Sequence, residues 1–291
     1  MNRERLDIAI AAAEAGAVIL KDFFRTRPLE PAEKARNDFV TIADRQSESA
    51  VLAEIRRRFP EDRILAEEEG FSGDADSEYC WYIDPLDGTA NFMQGLPVFC
   101  VSVGCSYRGE LIAAAIVDPE GENLFTATRA GGAQWNGRPM EVASRAGLQG
   151  AFLATGFPFH AHRALDVYLK VFRDVFMRAR SIRRCGSAAL DLAYTAAGVY
   201  EGFFEFRLSP WDLAAGMLLV REAGGAVSDL SGGAQSLESG NVIAGPPGVH
   251  RELLRIVQQY VDEAGLEQID PGRSGLAGED SGSNPSRGES P

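Results

Sequence analysis

Residues 98–107 and 111–117 are both strand-forming, and only a short connection around Arg108-Gly109 separates them. That spacing commits the middle of the chain to an antiparallel hairpin. Val101, Val103, Cys105 and Tyr107 alternate with smaller residues, the pattern of a strand with two different faces. Residues 124–128 and 133–135 extend the same sheet, and Asn136-Gly137 is a hairpin-type turn. Upstream, 79–83 is aromatic and β-branched and predicts another strand, with a short one at 64–66.

Helices precede this sheet. Leu6, Ile10, Ala13, Ala17, Leu20 and Phe24 recur at spacings of three and four, one face of an amphipathic helix. Residues 28–40 are polar, contain Pro28 and Pro31, and read as a loop. A second helix is expected over 42–59, burying Val51, Leu52, Ile55 and Phe59, with Pro60 stopping it. Past the sheet, helix and strand alternate. Helices are expected over 163–178, with Leu165, Tyr168, Phe172 and Val175 on one face, from Ser187 to Ala197, from Pro210 to Gly224-Gly225, and over 249–264. Strands are expected at 181–184, 203–206, 226–228 and 242–244. The whole is an α/β chain of two fused halves over 1–268, with a boundary near 140–150. From 269 to 291 apolar residues almost vanish, and a disordered tail is expected.

The formal net charge is −13 and no basic stripe follows any expected element, which argues against a nucleic-acid partner. No apolar run is long enough to span a bilayer, so no membrane partner is expected. The first residues lack the apolar core of a secretory signal, and Cys80, Cys100, Cys105 and Cys185 lack metal-ligand spacing. Free thiols in a reducing cytoplasm follow.

The chemistry gathers at Asp84-Pro85-Leu86-Asp87-Gly88-Thr89. Two carboxylates lie three residues apart at a strand exit, and Pro85 fixes one backbone angle between them. Such a turn can aim both carboxylates and the Leu86 carbonyl at one point, an all-oxygen environment suited to Mg²⁺. Gly88 and Thr89 can open a helix whose N–H groups suit a phosphate oxygen. Glu67 follows a strand beside Glu68 and Glu69, and Asp212 stands at a helix start after a strand and short loop. In a layered α/β arrangement these exits gather at one sheet edge. Two unit charges ~4 Å apart repel by about 4 kcal/mol at an effective dielectric of 20. Four clustered carboxylates therefore call for a divalent cation or for protonation.

Three segments carry a resemblance: Leu65-Ala66-Glu67-Glu68, residues 81–92 (WYIDPLDGTANF) and Pro210-Trp211-Asp212-Leu213-Ala214-Ala215-Gly216. Asp38-Phe39-Val40-Thr41 followed by Asp44, Thr155-Gly156-Phe157-Pro158 and Gly186-Ser187-Ala188 add to it. Together they resemble the inositol monophosphatase family, metal-dependent and lithium-sensitive sugar phosphatases, from the first helix to about residue 264. The resemblance implies a five-layered α-β-α-β-α sandwich, often a homodimer, and two to three Mg²⁺ ions. It implies Glu67, Asp84, the Leu86 carbonyl, Asp87 and Asp212 as metal ligands. Glu67 and Thr89 would orient and activate the attacking water, with Asp44 bonded to Thr89. Asp87, Gly88, Thr89, Gly186, Ser187, Ala188 and Glu205 would hold a small anionic phosphate ester. The implied activity is hydrolysis of inositol-1-phosphate or a related sugar phosphate. Histidinol-phosphate and fructose-1,6-bisphosphate are alternative substrates, and a non-catalytic regulatory protein on the same fold is the alternative of another class.

Overall fold

The computed structural model describes residues 2–25, 32–35, 38–157 and 165–261, with backbone alone at 32–35, 38 and 39. Pro158, His160, His162 and the expected tail lie outside the described residues.

The elements run α1 (Asn2–Phe23), β1 (Ala32–Ala35), β2 (Asp38–Val40), α2 (Ile42–Arg58), β3 (Arg63–Ala66), β4 (Gly70–Ser72), β5 (Tyr79–Asp87), α3 (Thr89–Met93), β6 (Cys100–Tyr107), β7 (Glu110–Asp118), β8 (Asn123–Thr128), β9 (Gly132–Trp135) and β10 (Arg138–Pro139). They continue with β11 (Phe152–Thr155), α4 (Leu165–Phe176), β12 (Ser181–Arg183), α5 (Ala188–Ala196), β13 (Phe203–Glu205), α6 (Pro210–Glu222), β14 (Ala226–Ser228), α7 (Ser236–Ser239), β15 (Val242–Gly245) and α8 (Pro247–Gln258).

Eight strands form one sheet in the order β10-β9-β8-β7-β6-β5-β3-β4, and five form a second, β12-β11-β13-β15-β14. Helices α1 and α2 cover one face of the large sheet through a core containing Leu20, Leu52, Ile55, Trp81, Phe99 and Val103. Helices α5 and α6 fill the space between the two sheets, around Leu192, Leu213, Leu218, Phe125 and Phe203. Helices α4 and α8 close the far face of the small sheet through Tyr168, Val171, Phe204, Leu253 and Ile256. The result is the expected five-layered α-β-α-β-α sandwich. No helix among the described residues is long and apolar enough to cross a membrane.

Several local expectations change. Within 28–40, expected as a loop, β1 and β2 pair antiparallel with Ala32 opposite Val40. A two-stranded ribbon pairs through backbone groups, so polar residues form it without apolar alternation. In β6 nearly every residue is buried, both sets of the alternation alike, because helices cover both faces of the sheet. The buried stripe of α4 is Val167, Tyr168, Val171 and Val175. Leu165 is exposed and Phe172 stacks at the rim between Tyr168 and Phe176, so the apolar face is rotated from the expected one. Strands β4, β10 and β11 and helix α7 carry no expectation, since segments of two to four residues are too short to show a period.

Candidate active site

The site begins with a break in the ladder between β5 and β6. Asp84 pairs with Ser102 and Asp87 with Cys100, so β5 spends one residue more than its partner. In a regular strand, residues three apart point to opposite faces. The extra residue reverses that parity and turns both carboxylates to the face of α5 and α6. Leu86 keeps its side chain in the core under α1 and α2. Gly88, at φ +97°, ends the turn; a Cβ there would lie 2.8 Å from the Val98 carbonyl, so only glycine fits.

Three further elements bring the remaining carboxylates in. The Glu67 amide donates to the Ile83 carbonyl at 3.1 Å, continuing the parallel pairing of β3 with β5. Asp212 lies in the first turn of α6 and accepts from the Ser209 amide at 2.7 Å in a capping box. Helix α6 can approach the sheet because Gly104 has no side chain: a Cβ there would be 2.9 Å from Cβ of Ala214. Burial, then Glu67, Asp87 and Asp212 in turn, push Asp84 well above the usual carboxylate range. The charged groups that act most on this buried acid are all acidic.

Asp87 faces the second half of the chain. Its Oδ2 accepts from Ser187 Oγ at 2.7 Å and from the Ala189 amide at 2.7 Å, at the N-terminus of α5. Burial raises Asp87, and the donors Ser187, Ala189, Ala188 and Cys100 oppose the rise. Glu205, at the end of β13, is pushed up to about 8 by burial, with Arg184 opposing and Asp212 and Asp87 adding. Gly156 leaves the space that the Glu205 carboxylate fills.

Helix α2 braces the cluster through Asp44, Ser47 and Glu48, a buried polar stripe at helical spacing. Asp44 Oδ2 accepts from the Thr41 amide at 2.8 Å and its hydroxyl at 2.5 Å, and Oδ1 from Thr89 Oγ1 at 3.1 Å. Thr89 Oγ1 also lies 3.0 Å from the Leu86 carbonyl, with one proton for the two acceptors. Ser47 Oγ donates to the Pro85 carbonyl at 2.8 Å. Glu48 accepts from the amides of Glu68 and Glu69 at 2.9 and 2.8 Å, which fixes the turn that presents Glu67. Ser47 and Glu48 carry no expectation from sequence; their signal is two buried polar residues one turn beyond Asp44.

The four carboxylates expected together are thus neighbours, with Thr89, Asp44 and the Leu86 carbonyl beside them and Gly186, Ser187, Ala188 and Glu205 across the gap. The donor set is all oxygen, which suits a hard cation such as Mg²⁺. Among the described residues, no group of three or more His, Cys, Asp or Glu side chains is arranged to hold an ion. All four cysteines are free; Cys100 and Cys105 are buried, and Cys80 and Cys185 are partly exposed.

Residues 1–262 match the inositol monophosphatase family. The chain belongs to that family. A Nus factor SuhB of Pseudomonas aeruginosa is 45% identical over 262 residues, covering 88% of this chain and 96% of the relative. The crystal structure of extragenic suppressor protein suhB from Bartonella henselae superposes at a TM-score of 0.81 with 39% identity, over 86% of this chain and 96% of that one. The inositol monophosphatase of Anabaena (Nostoc) sp. PCC 7120 gives 0.77 with 37% identity, over 89% and 96%. Fold and sequence together make this a phosphatase-superfamily member.

Proposed function

We propose that this member of the inositol monophosphatase family is a Mg²⁺-dependent phosphomonoesterase for inositol-1-phosphate or a related small sugar phosphate, with water attacking phosphorus directly. The observation that carries the reading is Asp84, a buried acid on which Glu67, Asp87 and Asp212 are the charged groups that act most. Family members are in general magnesium-dependent. In this reading Glu67, Asp84, the Leu86 carbonyl, Asp87 and Asp212 hold two to three ions. Magnesium bound there supplies positive charge to the phosphoryl and leaving oxygens and makes water more acidic.

The chain's own residues do the rest. Thr89 Oγ1 donates its proton to Asp44, which leaves its lone pairs to accept from the attacking water. Glu67 is the second acceptor for that water. The Gly88 and Thr89 amides hold phosphate oxygens. Gly186, Ser187, Ala188 and Glu205 face the substrate's hydroxyls. Unaided monoester hydrolysis is so slow that enzymes accelerate it by up to ~10²¹-fold, which positioning and charge together must supply. A homodimer and a cytoplasmic location belong to the same reading, and sedimentation tests the first.

The test is phosphate release with Mg²⁺ across inositol, fructose, histidinol and nucleotide phosphates. Turnover that Asp87→Asn abolishes and lithium inhibits is the expected result. A folded, Mg²⁺-binding protein that turns over none of them overturns the reading. The Pseudomonas relative, a Nus factor, favours a second reading, a protein of that kind that keeps the fold without needing turnover. That outcome of the panel is the one it anticipates.

A further inference from the structure

Asn91, in α3, reaches out of the first half of the chain. Its Nδ2 donates to the Val98 carbonyl at 2.8 Å and to the Cys185 carbonyl, 94 residues on, at 2.8 Å. The Gly186 carbonyl lies farther, at 3.4 Å. A side-chain amide nitrogen has two protons in a fixed plane. Here one goes to each half of the chain.

Gly186 is shaped for this contact. It sits at φ +88°, and a Cβ there would lie 3.2 Å from Nδ2 and 3.4 Å from Oδ1 of Asn91, and 2.7 Å from Nη1 of Arg184. The asparagine and the arginine therefore pack against the bare α-carbon of Gly186. In a trans peptide the carbonyl and the next amide point opposite ways. With the Cys185 carbonyl held on Asn91, the Gly186 N–H points away from it. The next residue is Ser187, whose hydroxyl bonds Asp87 at 2.7 Å.

We propose that Asn91 is a positioning residue that sets the Cys185–Gly186 segment against the carboxylate turn, and so fixes how the hydroxyl-bearing side of the substrate is held. Its bonds lie away from the water-activating pair Thr89 and Asp44, so the effect expected is on substrate recognition more than on attack at phosphorus. The proposal rests on the phosphatase reading and adds to it a residue that acts chiefly on recognition.

The test uses Asn91→Leu, which keeps the shape without the donors, and Asn91→Ala as a smaller second variant, both in the full chain. With inositol-1-phosphate, KM should rise about tenfold while kcat stays within about threefold. With p-nitrophenyl phosphate, which has no polyol, both constants should match the parent. Equal losses on both substrates, or a fall in kcat with KM unchanged, overturn the proposal. Hydrogen exchange at the amides of residues 185–187 gives a readout independent of turnover. Faster exchange there in either variant is expected, and unchanged exchange in both overturns the clamp. If the parent protein hydrolyses neither ester, the phosphatase reading fails and exchange alone decides whether the clamp exists.

Discussion

Thr89 Oγ1 stands 3.1 Å from Asp44 Oδ1, although the two residues are 45 positions apart in the chain. Asp44 is held rigid at its other oxygen by Thr41, so the hydroxyl is oriented by an acceptor that cannot turn away. Thr89→Val keeps the shape and removes the hydroxyl. It should lower kcat by about 10²–10⁴-fold, the usual worth of an oriented proton acceptor, with little change in KM. Steady-state phosphate release at saturating Mg²⁺ measures it, and an unchanged kcat would remove Thr89 from water activation.

Asp84 gives a prediction of opposite sign for stability and activity. Without a cation, folding must either keep its charge beside Glu67, Asp87 and Asp212 or hold a proton on it, and either costs stability near neutral pH. Asp84→Asn deletes that charge at nearly constant shape. In EDTA the variant should melt higher than the parent, by about 2–4 °C for each ~1 kcal/mol relieved. In Mg²⁺ the order should reverse, because the parent gains ligand-linked stability that the variant has lost. Melting curves with and without Mg²⁺ decide it; a variant less stable in both conditions contradicts the repulsion.

Glu205, Asp44 and Glu48 contribute to the pH dependence of the metal-free protein, in the same direction as Asp84, Asp87 and Asp191, which burial also raises. Burial raises the first three above their ordinary values, Glu205 to about 8. A carboxyl raised by folding binds its proton more tightly in the native state, so the native state is favoured while the proton stays on. That contribution is complete below the ordinary carboxylate range, about 4, and disappears as pH climbs through the folded values. In EDTA the melting temperature should therefore fall as pH rises toward about 8. Glu205→Gln should flatten the upper end of that fall. A melting temperature that rises over the same interval reverses the sign and refutes the assignment.

The sequence reveals this architecture where periodicity and turn chemistry agree. The 98–117 hairpin and the helices around 6–24 and 42–59 were legible because each extends over several repeats of its own period. The five layers and most of the site rest on the resemblance carried by residues 65–68, 81–92 and 210–216. The bulge between Asp84 and Asp87 was implicit in two carboxylates at odd spacing around a proline, but its register needed β6. Asn91, Ser47 and Glu48 stayed silent because their partners are backbone groups from distant segments, which carry no side-chain signature in the sequence. The face of α4 was misjudged because apolar residues surround much of the helix, and only packing against α8 and the small sheet selects which are buried.

Glu48 permits the sharpest separation of support from chemistry. Its two oxygens take the Glu68 and Glu69 amides, and it touches no substrate in the proposed reading. Glutamine has one acceptor oxygen, and its amide group would meet the other backbone N–H donor to donor. Glu48→Gln should therefore release the turn that presents Glu67 without opening a cavity. Removing a partner that orients a metal ligand typically costs about 10–100-fold in metal affinity or activity. The Mg²⁺ concentration for half-maximal activity should rise by about that factor, while kcat at saturating Mg²⁺ recovers most of the parent value. Activity titrated against Mg²⁺ at fixed substrate reads this directly. A lower melting temperature with an unshifted Mg²⁺ requirement would reduce Glu48 to a packing residue and leave Glu67 oriented by β3 alone.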